Sequence, residues 1–365
     1  METPFARPDG ALWQPSAADA ARLDQAASIL RGGGTVAMPT ETVYGLAANA
    51  LDADAVAKIF LAKQRPHWDP LIVHVSDFAM AQTVVAAISP AAQVLIDAFW
   101  PGPLTLLLPR SARIPDIVTA ARPLVGVRMP MHPVALALIR RAGVPLAAPS
   151  ANRFGHISPT SAAHVLDDLD DRIDAVLDAG PTTFGVESTV LDPSQHPAIL
   201  YRPGAISREE IASALEPLCG LDPVREWKTD TLTDQPREAL PSPGVGLRHY
   251  APRARVILVP AHATAIAAAL SDLTLLGQRV GLLLPRHLPG AIPPAVLTQA
   301  ICFPWGNWLL PETLAESLYA GLRSLDSASC SAIVVPTPEP SGIGAALLDR
   351  LQKAAVPSQA TDTDR

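Results

Sequence analysis

From residue 32 the chain alternates short β-branched or apolar runs with longer segments of helical spacing, and this alternation confines it to an α/β fold. The runs at 35–40 (TVAMPT), 71–75 (LIVHV), 104–108 (LTLLL), 125–129 (VGVRM), 145–150, 175–179, 188–192 and 198–202 read as strands. Helical spacing marks 52–63, 132–143 and 161–169. A further helix is expected to open at Ser207, because Ser207-Arg208-Glu209-Glu210 has the form of a capping box. One large mixed sheet accounts for these segments.

After residue 218 the periodicity fades into a proline- and turn-rich stretch that reads as a linker. A second unit follows, with strands expected at 254–260, 279–285 and 331–336 and helices near 262–276, 312–326 and 343–355. Strands that alternate with helices predict a small, parallel, doubly wound sheet. The expected organisation is therefore a first domain at 1–218, a linker at 219–252 and a C-terminal α/β domain at 253–365, in keeping with a length of 365 residues.

Composition narrows the function. With 48% hydrophobic and 17% charged residues, both units can bury a core. A net charge of −7 argues against a general nucleic-acid coat and leaves room only for a local basic pocket. Cys219, Cys302 and Cys330 are too few and too scattered for a disulfide framework or a cysteine-based zinc site. No signal peptide is read at the N-terminus, and no apolar stretch reaches the ~20 residues of a membrane span, so a cytoplasmic location is expected.

Three segments carry chemistry-bearing residues. At 39–46, PTETVYGL places two hydroxyls and a carboxylate where α/β sheets gather ligands; it reads either as a grip on a small polar ligand or as a Thr-rich turn. The triple glycine at 32–34 precedes its strand and reads as a turn, not a phosphate loop. At 63–66, Lys63-Gln64-Arg65-Pro66 holds one of only two lysines before residue 228. In an extended segment Lys63 and Arg65 would converge on one anion; the other reading is a solvated helix C-terminus. At 148–152, Ser150 and Asn152 offer a hydroxyl and an amide, or form an ordinary strand exit.

His74, Arg128 and Arg202 interrupt apolar runs. A buried arginine needs an anionic partner, supplied either by a structural carboxylate or by a ligand. Cations and hydroxyls with few general bases suit phosphoryl or nucleotidyl transfer, where positioning and charge stabilisation dominate.

The segments PTETVYGL (39–46), AKQRP (62–66), PLIVHV (70–75), WPGPLTLLL (100–108), VGVRMPMHP (125–133), APSAN (148–152), SPT (158–160), ESTVLD (187–192), YRPGAIS (201–207) and SPGVGLRHYAP (242–252) stand in the order found in threonylcarbamoyl-AMP synthases. The chain closely resembles the long, two-domain form of that family. The resemblance implies a YrdC-like open twisted mixed sheet with helices around a cationic cleft, followed by a Rossmann-like domain. It also implies synthesis of threonylcarbamoyl-AMP and pyrophosphate from L-threonine, bicarbonate and ATP, for threonylcarbamoyladenosine in tRNA. Thr42, His74, Arg128, Ala148 and Ser188 would hold L-threonine. Lys63, Arg65, Asp69, Leu124, Ser150, Asn152, Ser158, Arg202 and Tyr250 would hold ATP, with Lys63 and Arg65 as the catalytic cations and Mg²⁺ on the phosphates. Asp69 stands where the family usually has asparagine, and a carboxylate there would repel a triphosphate unless a cation intervenes. No tightly bound organic cofactor is implied, and the partners implied are the downstream tRNA threonylcarbamoyl-transfer machinery.

Two other classes remain compatible with such a cleft. One is an RNA-binding module without catalysis, recognisable by salt-dependent RNA affinity without ATP turnover. The other is a carbamoyl transferase of the hydrogenase-maturation type, against which the lack of any Cys-x-x-Cys pair weighs. The linker end, with Arg248, His249 and Tyr250 in a row, is expected to fold over the ATP cleft as a lid.

Overall fold

The computed structural model describes residues 15–227, 240–242 and 250–356. Ten strands form one sheet: β1 (Val36–Met38), β2 (Gly45–Asn49), β3 (Ile72–His74), β4 (Leu104–Pro109), β5 (Leu124–Arg128), β6 (Leu146–Ala147), β7 (Ala175–Val176), β8 (Thr189–Asp192), β9 (Ala198–Arg202) and β10 (Val224–Glu226). They lie in the order β10-β9-β8-β4-β5-β3-β6-β2-β1-β7, with parallel and antiparallel pairs mixed. Four more, β11 (Arg255–Val259), β12 (Val280–Arg286), β13 (Ala300–Asn307) and β14 (Ala332–Pro336), make a separate, all-parallel sheet ordered β11-β14-β12-β13. The expected fold class stands.

Alternation of side chains across the strands explains the layers. In β1, Val36 and Met38 pack with Leu23 and Leu30 of helix Ala17–Arg31 and with Leu138 of helix Pro133–Ala142. Ala37 between them faces the opposite core, with Val56 and Ile59 of helix Ala53–Lys63. The small sheet repeats the scheme. Ile333 and Val335 face helices Pro311–Ser327 and Ile343–Ala355, whereas Val334 faces helix Ala263–Leu275. Helix starts are set by side-chain caps from Ser16, Asp52, Ser89 and Ser161, and Ser207 with Glu210 forms the expected capping box.

Three strands escape the sequence pattern, each for a physical reason. β2 (GLAAN) is mostly small residues of low strand tendency and is held by pairing with β1 and β6 on either side. β10, within the stretch expected to be linker, has one apolar residue followed by two charges and survives at the sheet edge by pairing with β9. β13 is the edge of the small sheet and carries Pro304, which an edge tolerates.

The two units share a core: Val43, Ile157, Val186 and Tyr250 cluster with Leu314, Tyr319 and Leu347. Backbones approach closely beside it. A Cβ added at Gly204 would meet Thr189 N and stand 2.6 Å from the Ser188 carbonyl carbon and 2.7 Å from Glu187 O. Backbone cannot yield as a flexible side-chain tip does, so Gly204→Ala should destabilise the protein by about 1–3 kcal/mol in urea unfolding. A loss within about 0.5 kcal/mol, the scatter of neutral surface changes, would contradict this packing.

Candidate active site

Parallel pairing of β3 with β5 sets His74 directly beside Arg128, at the C-terminal ends of both strands. The 39–46 loop reaches the same place, because Gly45 bridges Ser150 and Leu46 N–H donates to Pro149 O. A cleft opens there, lined by Thr42, Arg65, His74, Arg128, Ala148, Ser150, Glu187, Ser188, Arg202 and Tyr250. Strand ends are where open α/β sheets place ligands.

Arg128 is buried and fully oriented. Its Nη2 pairs with Glu41 at 2.5 Å, Nη1 donates to Thr42 Oγ1 at 2.9 Å, and Nε donates to Gly102 O at 3.1 Å. Thr40 in turn fixes Thr42, with the two hydroxyls 2.8 Å apart. The PTETV loop is thus both a turn and a clamp on Arg128. His74 is buried with Nδ1 unbonded, and burial, then the charge of Arg128, pushes its pKa down to about 3. It faces the cleft as a neutral imidazole.

Lys63 ends its helix as expected, but Gln64 then adopts a left-handed cap with φ 54°, and Arg65 N–H bonds back to Phe60 O. The segment is therefore not extended, and the two cations diverge. Lys63 Nζ donates to Ser150 O at 2.5 Å and to Asn152 O, so it fastens the 148–152 turn from behind. Burial, then the nearby Arg65, lowers its pKa well below the usual lysine value. Arg65 lines the cleft, donates to Asp69 O and Pro70 O, and pairs with the Asp69 carboxylate at 2.9 Å. Asp69 is completely buried and does not line the cleft; burial raises its pKa against the pull of Arg65.

Arg202 donates to Ser188 O at 3.0 Å and to Ser188 Oγ at 3.1 Å, and Thr105 Oγ1 lies 2.8 Å from that hydroxyl. Ser158 is buried and donates to Glu187 at 2.6 Å. Asn152 spends its amide N–H groups on Arg153 O and His156 O. Leu124 begins β5, four residues before Arg128, and like Lys63, Asp69, Asn152 and Ser158 it is not on the cleft wall. Of the expected lid, residues 243–249, with Arg248 and His249, lie outside the described residues. Tyr250 is described, buried, and lines the cleft with φ 63°. Among the described residues no group of three His, Cys, Asp or Glu could hold a metal ion, and no helix is long and apolar enough to cross a membrane.

Sequence reasoning named the Glu41 carboxylate only as part of a ligand grip, not as the partner of Arg128, and missed Arg350 and Tyr319, which meet Glu187. Arg350 had a visible signal. It falls in the apolar stripe Ile343, Ala346, Leu347, Leu351, Ala354 and is itself 1% exposed. An arginine at a core position of an amphipathic helix implies a buried anion.

Two family models match the chain. Residues 28–204 match the Sua5/YciO/YrdC family model, described as telomere recombination, and residues 206–356 match the model for the threonylcarbamoyl-AMP synthase C-terminal domain. Fold and cleft thus define a two-domain, YrdC-like α/β protein. The threonylcarbamoyl-AMP synthase of Bacillus subtilis is 40% identical over 92% of this chain and 93% of its own, and that of Pyrococcus abyssi 39% over 90% and 93%. A solved structure of P. abyssi Sua5 complexed with L-threonine superposes with a TM-score of 0.83 at 37% identity, covering 92% of this chain and 94% of that one. The chain belongs to the threonylcarbamoyl-AMP synthase family.

Burial also pushes His132 and His164 down to about 4 each. All three depressed histidines titrate near 6.5 when unfolded, so the unfolded chain binds more protons between roughly pH 4 and 6.5. Their contribution to stability is fully present above about pH 6.5 and declines as the pH falls toward 4. In imidazole NMR spectra their signals should hold neutral shifts from pH 8 to 5. A His74 midpoint near 6.5 would show that its burial is wrong.

Proposed function

We propose that this cleft condenses L-threonine, bicarbonate-derived CO2 and ATP into threonylcarbamoyl-AMP and pyrophosphate, supplying threonylcarbamoyladenosine formation in tRNA. The observation that carries the reading is the convergence on one cleft of motifs scattered from residue 39 to 250, in a chain of this family. The P. abyssi structure with L-threonine supports it further.

L-Threonine takes the Arg128 end. The guanidinium, aligned by Glu41 and Thr42, meets the α-carboxylate; Thr42 and Ser188 meet the polar atoms; and the backbone at Ala148 closes the wall. Neutral His74 accepts or donates a hydrogen bond without competing for the carboxylate. The nucleotide takes the other end. Arg65 and Arg202 face its phosphates, the Ser150 hydroxyl, the Asn152 amide oxygen and the Ser158 hydroxyl oxygen are left to meet it, and Tyr250 packs near the nucleoside. Lys63 acts through the 148–152 turn that it holds, and Asp69 orients Arg65. Leu124 has no part in this arrangement.

The chemistry needs no covalent intermediate on the enzyme. The threonine amine adds to CO2 and loses a proton, giving a carbamate. A carbamate oxygen then attacks the α-phosphorus of ATP as the bond to the β-phosphate oxygen breaks and pyrophosphate leaves. Glu41, Asp69 and Glu187 each face an arginine. The donor set therefore suits Mg²⁺ arriving on the triphosphate, as part of the substrate, more than a resident ion. A cytoplasmic setting, beside ATP and tRNA, and hand-over of the adenylate to tRNA-modifying enzymes complete the proposal.

Pyrophosphate release should require ATP, L-threonine and bicarbonate together. Equal release with either co-substrate omitted would refute the assignment. Arg65→Ala should lower turnover about 10²–10³-fold, the scale for losing a preorganised electrostatic donor, with folding retained. Full activity per folded molecule alongside a sharp drop in Tm would instead make the Arg65–Asp69 pair purely structural.

A further inference from the structure

The second domain reaches into the cleft wall. Arg350, on helix Ile343–Ala355, directs Nε to Glu187 Oε2 at 2.8 Å and Nη1 to Asp349 at 2.5 Å. Tyr319, on helix Pro311–Ser327, is completely buried and donates its hydroxyl to the same Glu187 Oε2 at 2.8 Å. The other carboxylate oxygen of Glu187 accepts the Ser158 hydroxyl at 2.6 Å. One carboxylate therefore joins two residues of the C-terminal domain to a hydroxyl of the first.

The same pair holds Tyr250. The Arg350 guanidinium carbon lies 5.2 Å from the Tyr250 ring centroid, and the Tyr319 ring stacks on Tyr250 at 5.8 Å and 29°. An arginine over an aromatic face, with a second ring stacked on it, leaves that ring little freedom. The surrounding contact is tight. A Cβ on Gly185, whose φ is 68°, would meet Ala315 O and stand 2.6 Å from the Glu316 Cα. Arg323, on the same helix as Tyr319, donates to Ile157 O, next to Ser158, and pairs with Asp168 at 2.6 Å.

Charge gives the arrangement its purpose. Glu187 lines the cleft where the proposed function puts a triphosphate, and an unneutralised carboxylate would repel it. Burial opposes the Glu187 charge, but Arg350 and Arg202 outweigh it and hold the carboxyl below its ordinary range. The charge is kept and compensated from behind.

We propose that Arg350 and Tyr319 are positioning residues for the nucleotide subsite: they fix Glu187 and Tyr250, and through Glu187 the Ser158 hydroxyl, so the C-terminal domain is a working part of the ATP site. The proposal rests on the reading that Ser158 and Tyr250 face ATP. Neither residue touches the reacting atoms, so their loss should weaken nucleotide binding and leave threonine binding intact.

The test is steady-state pyrophosphate release by the full chain, titrating ATP and L-threonine separately. Tyr319→Phe keeps the ring and removes one hydrogen bond; it should raise the KM for ATP about 3–10-fold with the KM for threonine unchanged. Arg350→Met should raise the ATP KM more than tenfold, because it leaves Glu187 charged beside the phosphates. Adding Glu187→Gln to Arg350→Met should recover much of that loss, because the amide still accepts from Ser158 and carries no charge. Unchanged ATP KM in Tyr319→Phe, equal rises for both substrates, or additive losses in the double variant would each overturn the proposal. Should Arg350→Met fail to fold, the Tyr319→Phe result decides alone. If the wild-type chain releases no pyrophosphate, the proposed function fails; if it turns over normally and the variants match it, only the present inference fails.

Discussion

Three buried arginines, Arg65, Arg128 and Arg350, each lie against a buried carboxylate, at 2.9, 2.5 and 2.8 Å respectively. Everything else about the cleft depends on those pairs. Desolvating a guanidinium is costly, and an ion pair in an apolar interior roughly breaks even against a well-packed apolar substitute. The pairs are therefore poor devices for stability alone. What they supply is orientation: a carboxylate and backbone carbonyls fix some N–H groups of Arg65 and Arg128, so their planar forks are set before any substrate arrives, whereas Arg350 fixes Glu187 on the cleft wall. Removing one partner would strand the other charge, at a cost of about 3–5 kcal/mol.

The two halves of the cleft use this device differently. Glu41 and Arg128, beside the proposed threonine subsite, belong to the same domain and are brought together by the loop into β2 and the end of β5. Glu187, beside the proposed nucleotide subsite, belongs to the first domain and Arg350 to the second. The C-terminal domain places Arg350, from within the apolar stripe of its helix, on that carboxylate.

Much of the architecture was legible because it follows from periodicity. The alternation of strands and helices, the capping box at Ser207 and the parallel C-terminal sheet come from spacing and cap chemistry that act locally. β2, β10 and β13 were not legible, because burial on both sides or edge pairing holds them against their own composition. The cleft residues in recognisable motifs, from Thr42 through Arg128 to Arg202, could be named from sequence. Which of them would pair with which could not. Lys63 and Arg65 diverge because Gln64 turns left-handed, which spacing does not encode, and Glu187 meets Arg350 only because two domains pack together. Contacts of that separation are set by tertiary packing, and the lone trace in sequence is an arginine in an apolar helical stripe.

On the proposed reading one cleft brings L-threonine, CO2 and ATP together so that a carbamate attacks the α-phosphate. The decisive measurement is mass spectrometry of the product formed from ATP, L-threonine and ¹³C-bicarbonate. Threonylcarbamoyl-AMP one mass unit heavier than the product from unlabelled bicarbonate, formed in step with pyrophosphate, is the expected result. ATP consumption that yields only ADP or AMP, or an adenylate without the label, would contradict it.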